Sequence, residues 1–215
     1  EYDESAVFEL AVILYDQEDY QKANLYFKQL DTLSPDFEGY EYIYALSLHA
    51  DHQAEAALLM AQQGLNKNPF DSQLALLASQ VSYELHNIEK AESYLLDAWD
   101  NADDLEELAL RLTNLYLEQE RYEDILALED QDWDNVLTRW NIARSYQALE
   151  NIEKAQELYG ELHRDLRDNP EFLEEYIYLL RECGELESAK QEAQHYLSLV
   201  PDDSAMQEFY DSLDC

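Results

Sequence analysis

Apolar side chains recur along this chain at the spacing of a helix face. Val7, Leu10, Ala11 and Leu14 fall at i, i+3, i+4 and i+7, one stripe of an amphipathic helix. A short polar stretch follows, DQED at 16–19, and then a second apolar stripe through Tyr20, Ala23, Phe27 and Leu30. The same succession returns around the polar turns ELHN at 84–87, LEQE at 117–120 and ALEN at 148–151. Each cycle closes on a proline or an acidic cluster, either of which ends a helix run. Strand signals are nearly absent: there are four Gly, no Asn-Gly pair and no alternating β-branched run. The pattern predicts an all-α chain of helix–turn–helix units.

The units share wording. Residues 87–96 are NIEKAESYLL and residues 151–160 are NIEKAQELYG, with weaker relatives DYQKANLYFK at 19–28, RYEDILALED at 121–130 and ELESAKQEAQ at 185–194. Aligned on their central residue, the anchors are Ala23, Ala57, Ala91, Ile125, Ala155 and Ala189, spaced by 34, 34, 34, 30 and 34. Prolines keep the same beat, since Pro35 and Pro69 stand 34 apart and Pro201 follows Ala189 by the 12 residues that separate Pro35 from Ala23. A fixed period of this length marks a repeat architecture.

A 34-residue helix–turn–helix period resembles the tetratricopeptide repeat, TPR. The residues that carry the resemblance are the small first-helix residues Ala11, Ala45, Ser79, Thr113 and Ala143, the anchors, the aromatics Phe27 and Tyr159 four residues beyond their anchors, and the closing prolines. It covers units at about 4–37, 38–71, 72–105, 106–135, 136–169 and 170–203. Residues 204–213, SAMQEFYDSL, predict a capping helix with Ser204 as its N-cap. No unit has the Trp-x-x-Leu-Gly opening of the family, and Ile177 stands in a small-residue slot. The fourth unit is four residues short and ends in DQDWDN, which predicts a truncated second helix and a break around 129–136 covered by Trp133. The resemblance implies one right-handed superhelical solenoid over 1–215. A first unit that starts almost at residue 1, a Glu, predicts a longer parent protein or a processed terminus.

Charge narrows the partners. Asp and Glu number 49 against 13 Lys and Arg, a formal net charge of −36. The excess is spread evenly, with −19 over residues 1–107 and −17 over 108–215. Such a chain repels nucleic-acid phosphates and anionic membrane surfaces. No run of 18 apolar residues is present, so no membrane span is expected. The two cysteines, Cys183 and Cys215, make no disulfide framework, which suits a reducing cytoplasm.

Catalytic and cofactor motifs are missing: there is no Gly-rich phosphate loop, no His-Glu-x-x-His, no Cys-x-x-Cys and no Gly-x-Ser-x-Gly. His49 and His52 could share a metal, although a polar helix terminus explains the pair as well. Asp130, Asp132 and Asp134 open like a calcium loop, but Asn135 and Asn141 stand where that loop needs Gly and Glu. The chain is therefore expected to be neither an enzyme nor a cofactor or metal carrier.

The TPR resemblance implies a concave groove, lined by the first helices, that takes a partner peptide or helix. By phase, its residues are Phe8, Val12 and Tyr15, then Tyr42, Leu46 and His49, then Leu76, Gln80 and Tyr83. Leu110 and Asn114, Trp140 and Arg144, and Tyr178 and Arg181 continue it. All six Lys lie on or just after second helices, whereas Arg111, Arg139, Arg144 and Arg181 lie on first helices of units four to six. Arg144 and Arg181 therefore suit a partner's carboxylate, with neutralisation of neighbouring acids as the alternative. The expected function is an interaction scaffold or adaptor. A regulatory arm of a longer enzyme and a self-associating repeat are the alternatives. Acidity and the lack of a catalytic domain are similar to the YpiA-like TPR proteins of Gram-positive bacteria.

Overall fold

The computed structural model describes residues 3–100, 102, 105–129 and 131–213. Among them are thirteen α-helices and no strand. The chain divides into two compact units, Glu1–Leu108 and Ala109–Cys215. The first contains α1 (Glu4–Asp16), α2 (Tyr20–Leu33), α3 (Tyr40–Ala50), α4 (Ala54–Lys67), α5 (Ser72–Glu84) and α6 (Ile88–Trp99). The boundary falls within α7 (Glu106–Glu118). The second unit continues with α8 (Tyr122–Leu126), α9 (Val136–Ala148), α10 (Ile152–Leu166), α11 (Pro170–Glu182), α12 (Leu186–Leu199) and α13 (Ser204–Ser212).

Side-chain caps start eight of the helices. Asn87 accepts a hydrogen bond from the backbone N–H of Lys90 and Asn151 from that of Lys154, so the Asn of each NIEKA phrase is an N-cap. Asp3, Asp19, Asp71, Asn135, Asn169 and Asp203 do the same for their helices. Asp203, not Ser204, caps α13. The carboxylate is one residue earlier and reaches Met206 N at 3.0 Å.

The turns inside the hairpins are built alike. Glu18, His52, His86, Glu120, Glu150 and Gly184 all have positive φ, between 56° and 81°. In each, the next residue's N–H reaches back five positions to a helix carbonyl: Asp19 to Leu14, Gln53 to Leu48, Asn87 to Ser82, Arg121 to Tyr116, Asn151 to Tyr146 and Glu185 to Leu180, at 2.8–2.9 Å. This is the Schellman closure, which satisfies the last carbonyls of the first helix and turns the chain into the second.

The anchors close the hairpins. Ala23, Ala57, Ala91, Ile125, Ala155 and Ala189 are all fully buried; at the five alanines a small side chain lets two helix backbones approach. Ile177 is also fully buried, packed with Leu173, Ala193, Tyr196 and Met206, so the branched residue is accommodated in the core. Aromatic stacks join neighbouring hairpins. Phe27 stacks on Tyr44 with centroids 5.3 Å apart, and Tyr159 on Phe172 at 5.4 Å. In the short fourth unit, α8 has only five residues. Trp133 folds back, buried, and donates its indole N–H to the Leu128 carbonyl at 2.8 Å. Asp130, the first of the three spaced aspartates, and Cys215 lie outside the described residues; Asp132 and Asp134 are exposed.

Candidate functional site

In the N-terminal unit, α1, α3 and α5 place Phe8, Val12, Tyr15, Tyr42, Leu46, His49 and Leu76 at half-buried positions, with Gln80 and Tyr83 exposed. Phe8, Val12, Tyr15, Tyr42 and Leu46 pack their inner sides on the core and keep an outer side in solvent. Phe8 lies against Phe37, centroids 5.3 Å apart, and Tyr15 against Tyr20 at 5.7 Å. Burial first, and then the neighbouring Tyr20 and Tyr42, push the Tyr15 hydroxyl above its ordinary pKa.

One polar bridge crosses this surface. His49 Nε2 lies 2.7 Å from Glu84 Oε2, and Gln80 donates to Glu84 Oε1 at 3.2 Å. Burial works to raise the Glu84 carboxyl, but the bonds from His49 and Gln80 outweigh it and hold the pKa below its ordinary value. His52 sits in the left-handed turn, and His49 is engaged with a carboxylate on the next hairpin. This arrangement favours the polar-terminus reading of the histidine pair.

In the C-terminal unit, Leu110 is half-buried and Asn114 exposed. Asn141 donates its amide to Asn114 Oδ1 at 2.7 Å and to Thr113 Oγ1 at 3.1 Å. Trp140 departs from the expectation, because it is only 4% exposed. Its ring meets the edge of Phe172 at 5.6 Å, its indole N–H donates to Glu175 Oε2 at 2.8 Å, and the Arg144 guanidinium lies 3.7 Å from its centroid. Trp140 is thus covered by Arg144 and contributes packing, not surface.

Arg144 departs too. Its Nε donates to Glu175 at 2.9 Å and 3.0 Å, and its Nη2 to Glu171 at 2.7 Å. Burial lowers its pKa, and the two carboxylates more than compensate, leaving it raised. Tyr159 also donates to Glu175 Oε2, at 2.8 Å. The guanidinium is therefore matched by two acids from the next hairpin and does not present a vacant fork to a partner's carboxylate. Arg139 pairs with Glu161 at 2.8 Å, again neutralisation between helices. Tyr178 and Arg181 are exposed and both touch α13 through Phe209, at 5.0 Å between rings and 5.3 Å from guanidinium to centroid. Among the described residues, Arg181 has no ion pair. A cleft of 500 Å³ lies beside Leu117, Tyr122, Arg144 and Gln147. Glu84, Glu171 and Glu175 were not foreseen as site residues. The signal lay in the repeat period, which puts Glu175 31 residues and Glu84 35 residues beyond its partner.

The repeated hairpin and its buried anchors define an all-α fold of the tetratricopeptide-repeat type. Residues 137–203 match the family model described as YpiA-like, C-terminal tetratricopeptide repeats. The chain is similar to the TPR repeat-containing protein YpiA of Bacillus subtilis (strain 168), with 25% identity over 164 residues, 73% of this chain and 39% of that protein. It therefore spans well under two thirds of that relative's length. Among solved structures, it resembles the C-terminal part of a TPR repeat-containing protein from Cytophaga hutchinsonii, with a TM-score of 0.75, 11% identity, and coverage of 96% of this chain and 88% of that one. It also resembles YrrB, reported as a TPR protein with an unusual peptide-binding site, with a TM-score of 0.70, 10% identity, and coverage of 86% and 97%. At these identities the likeness establishes the fold. No described helix is long and apolar enough to cross a membrane.

Proposed function

We propose that this protein is a non-catalytic cytoplasmic adaptor whose first-helix surface in the N-terminal unit binds an apolar peptide or helix of another protein. TPR folds generally mediate protein–protein interaction. The observation that carries the reading is the run of half-exposed apolar and aromatic residues on α1, α3 and α5, centred on Tyr42 and Leu46. Large amphipathic rings held by a packed core favour contact at low entropic cost. The peptide-binding site reported for YrrB supports the same use of the fold. In the C-terminal unit, Asn114, Tyr178 and Arg181 are exposed groove positions, and Arg181 supplies a cation; Arg144 is assigned to structure.

Affinity capture with the Tyr42→Ala/Leu46→Ser double variant tests the reading. The expected result is loss of the captured partner, with the variant still helical. Raising salt from about 0.1 M to about 1 M shortens the screening length from about 10 Å to about 3 Å, and capture by the parent should survive it. A partner retained by the double variant and released by salt would place binding on the outer acidic faces instead.

A further inference from the structure

A cleft of 670 Å³ in the N-terminal unit has a chemistry that the groove lacks. It lies where α3 begins, α4 ends and α5 begins, and its size is within the roughly 300–1,000 Å³ of ligand pockets. Gly64 opens its floor: a Cβ there would come within 2.5 Å of Leu74 Cδ1 and 3.0 Å of Glu41 Cβ. Phe37, Tyr42 and Ile43 form apolar walls. The acids Asp36 and Glu38 stand exposed at the rim.

Glu41 is the feature that points to a ligand. It lines the cleft, and its side chain is only 6% exposed. Oε1 takes the Lys67 ammonium, while Oε2 accepts no hydrogen bond among the described residues. Oε2 is not sealed from solvent, so this second oxygen is open to a further donor that enters the cleft. Lys67 is itself a loose partner. It is 47% exposed, also bonds the Pro35 carbonyl, and hovers 5.3 Å from the Tyr40 ring centroid.

We propose that this cleft receives an arginine side chain of a partner protein. The guanidinium completes Glu41 with a planar fork, which an ammonium cannot match, and stacks against Phe37 or Tyr42. Asp36 and Glu38 draw the cation to the mouth. Lys67 is then an internal competitor that an incoming arginine displaces in part from Glu41. The site shares Tyr42 with the groove but does not depend on that reading, since Asp36, Phe37, Glu38 and Glu41 lie outside the groove positions and Leu46 lies outside the cleft.

The probe is the capped tripeptide acetyl-Gly-Arg-Gly-amide, titrated into the 15N-labelled 215-residue chain and followed by amide chemical shifts. Saturable shifts are expected at residues 36–43 and 64–74. Lys67→Met should tighten binding, because it removes the competitor. Glu41→Gln should weaken it about tenfold, the size of a lost charge-assisted hydrogen bond. Should Glu41→Gln fail to fold, the exposed pair Asp36→Asn/Glu38→Gln must still weaken binding and reduce its salt dependence. Free arginine should bind less well than the capped peptide, because its carboxylate meets the acidic rim. The proposal is overturned if Lys67→Met leaves the affinity unchanged or lowers it. Equal binding of acetyl-Gly-Lys-Gly-amide, or tighter binding of free arginine, overturns it as well.

Discussion

The Arg144 guanidinium lies 3.7 Å from the centroid of the Trp140 ring while its Nε donates to Glu175 at 2.9 Å. One side chain thus covers an indole and neutralises a carboxylate of the next hairpin. Arg144→Ala would uncover Trp140 and leave Glu171 and Glu175 facing each other without their cation. The expected loss is about 1–3 kcal/mol in urea unfolding. Arg181→Ala, at an exposed position, should stay within about 0.5 kcal/mol. Equal small effects would contradict the structural assignment of Arg144.

The six left-handed turn residues make a second expectation. A non-glycine residue in that conformation costs about 1–2 kcal/mol, and glycine returns about 0.4–1 kcal/mol through the unfolded chain. Glu120→Gly and Glu150→Gly should each stabilise by up to about 1 kcal/mol. Gly184→Ala should destabilise by a similar amount, since a Cβ there has open space and only the backbone objects. Thermal unfolding of the three variants checks this, and a gain for Gly184→Ala would refute it.

Alkaline pH reports on the C-terminal cap. Burial first, and then the hydrogen bond to Asp203, push the Tyr196 hydroxyl up to about 12. Its neutral form is favoured in the folded state. The associated stability is therefore complete below the ordinary value of 10.0 and is lost as pH rises through about 12. Tyr146, raised to about 12 by burial and Glu129, behaves alike. Unfolding free energy measured from pH 9 to about 12 should fall less steeply in Tyr196→Phe and Tyr146→Phe than in the parent. Unchanged slopes would show that these hydroxyls titrate as in the unfolded chain.

The repeat was legible because its markers are local. Ala23, Ala57, Ala91, Ala155 and Ala189 fall at anchors where size alone decides helix approach, and all are fully buried. The short α8 and the folded-back Trp133 followed from four missing residues and a polar tail. The left-handed turns were not visible, because only Gly184 advertises positive φ, while Glu18, His52, His86, Glu120 and Glu150 adopt it under the Schellman bonds. Phase alone put Trp140 on the surface with Leu46 and Gln80. Its burial arises from Arg144, four residues on, and Glu175, on another hairpin. The Gly64 cleft was hidden for a similar reason: it combines a missing side chain with Glu41 and Lys67, which lie 26 residues apart.

The central claim is that partners meet the first-helix surface of the N-terminal unit, and site-specific photo-crosslinking in the source cell tests it most directly. A benzophenone amino acid replaces Leu46 on α3 in one strain and Leu59, 60% exposed on α4, in another. The expected result is a discrete adduct with one partner from position 46 and none from position 59. Adducts from position 59 alone, or from neither position, would contradict the account.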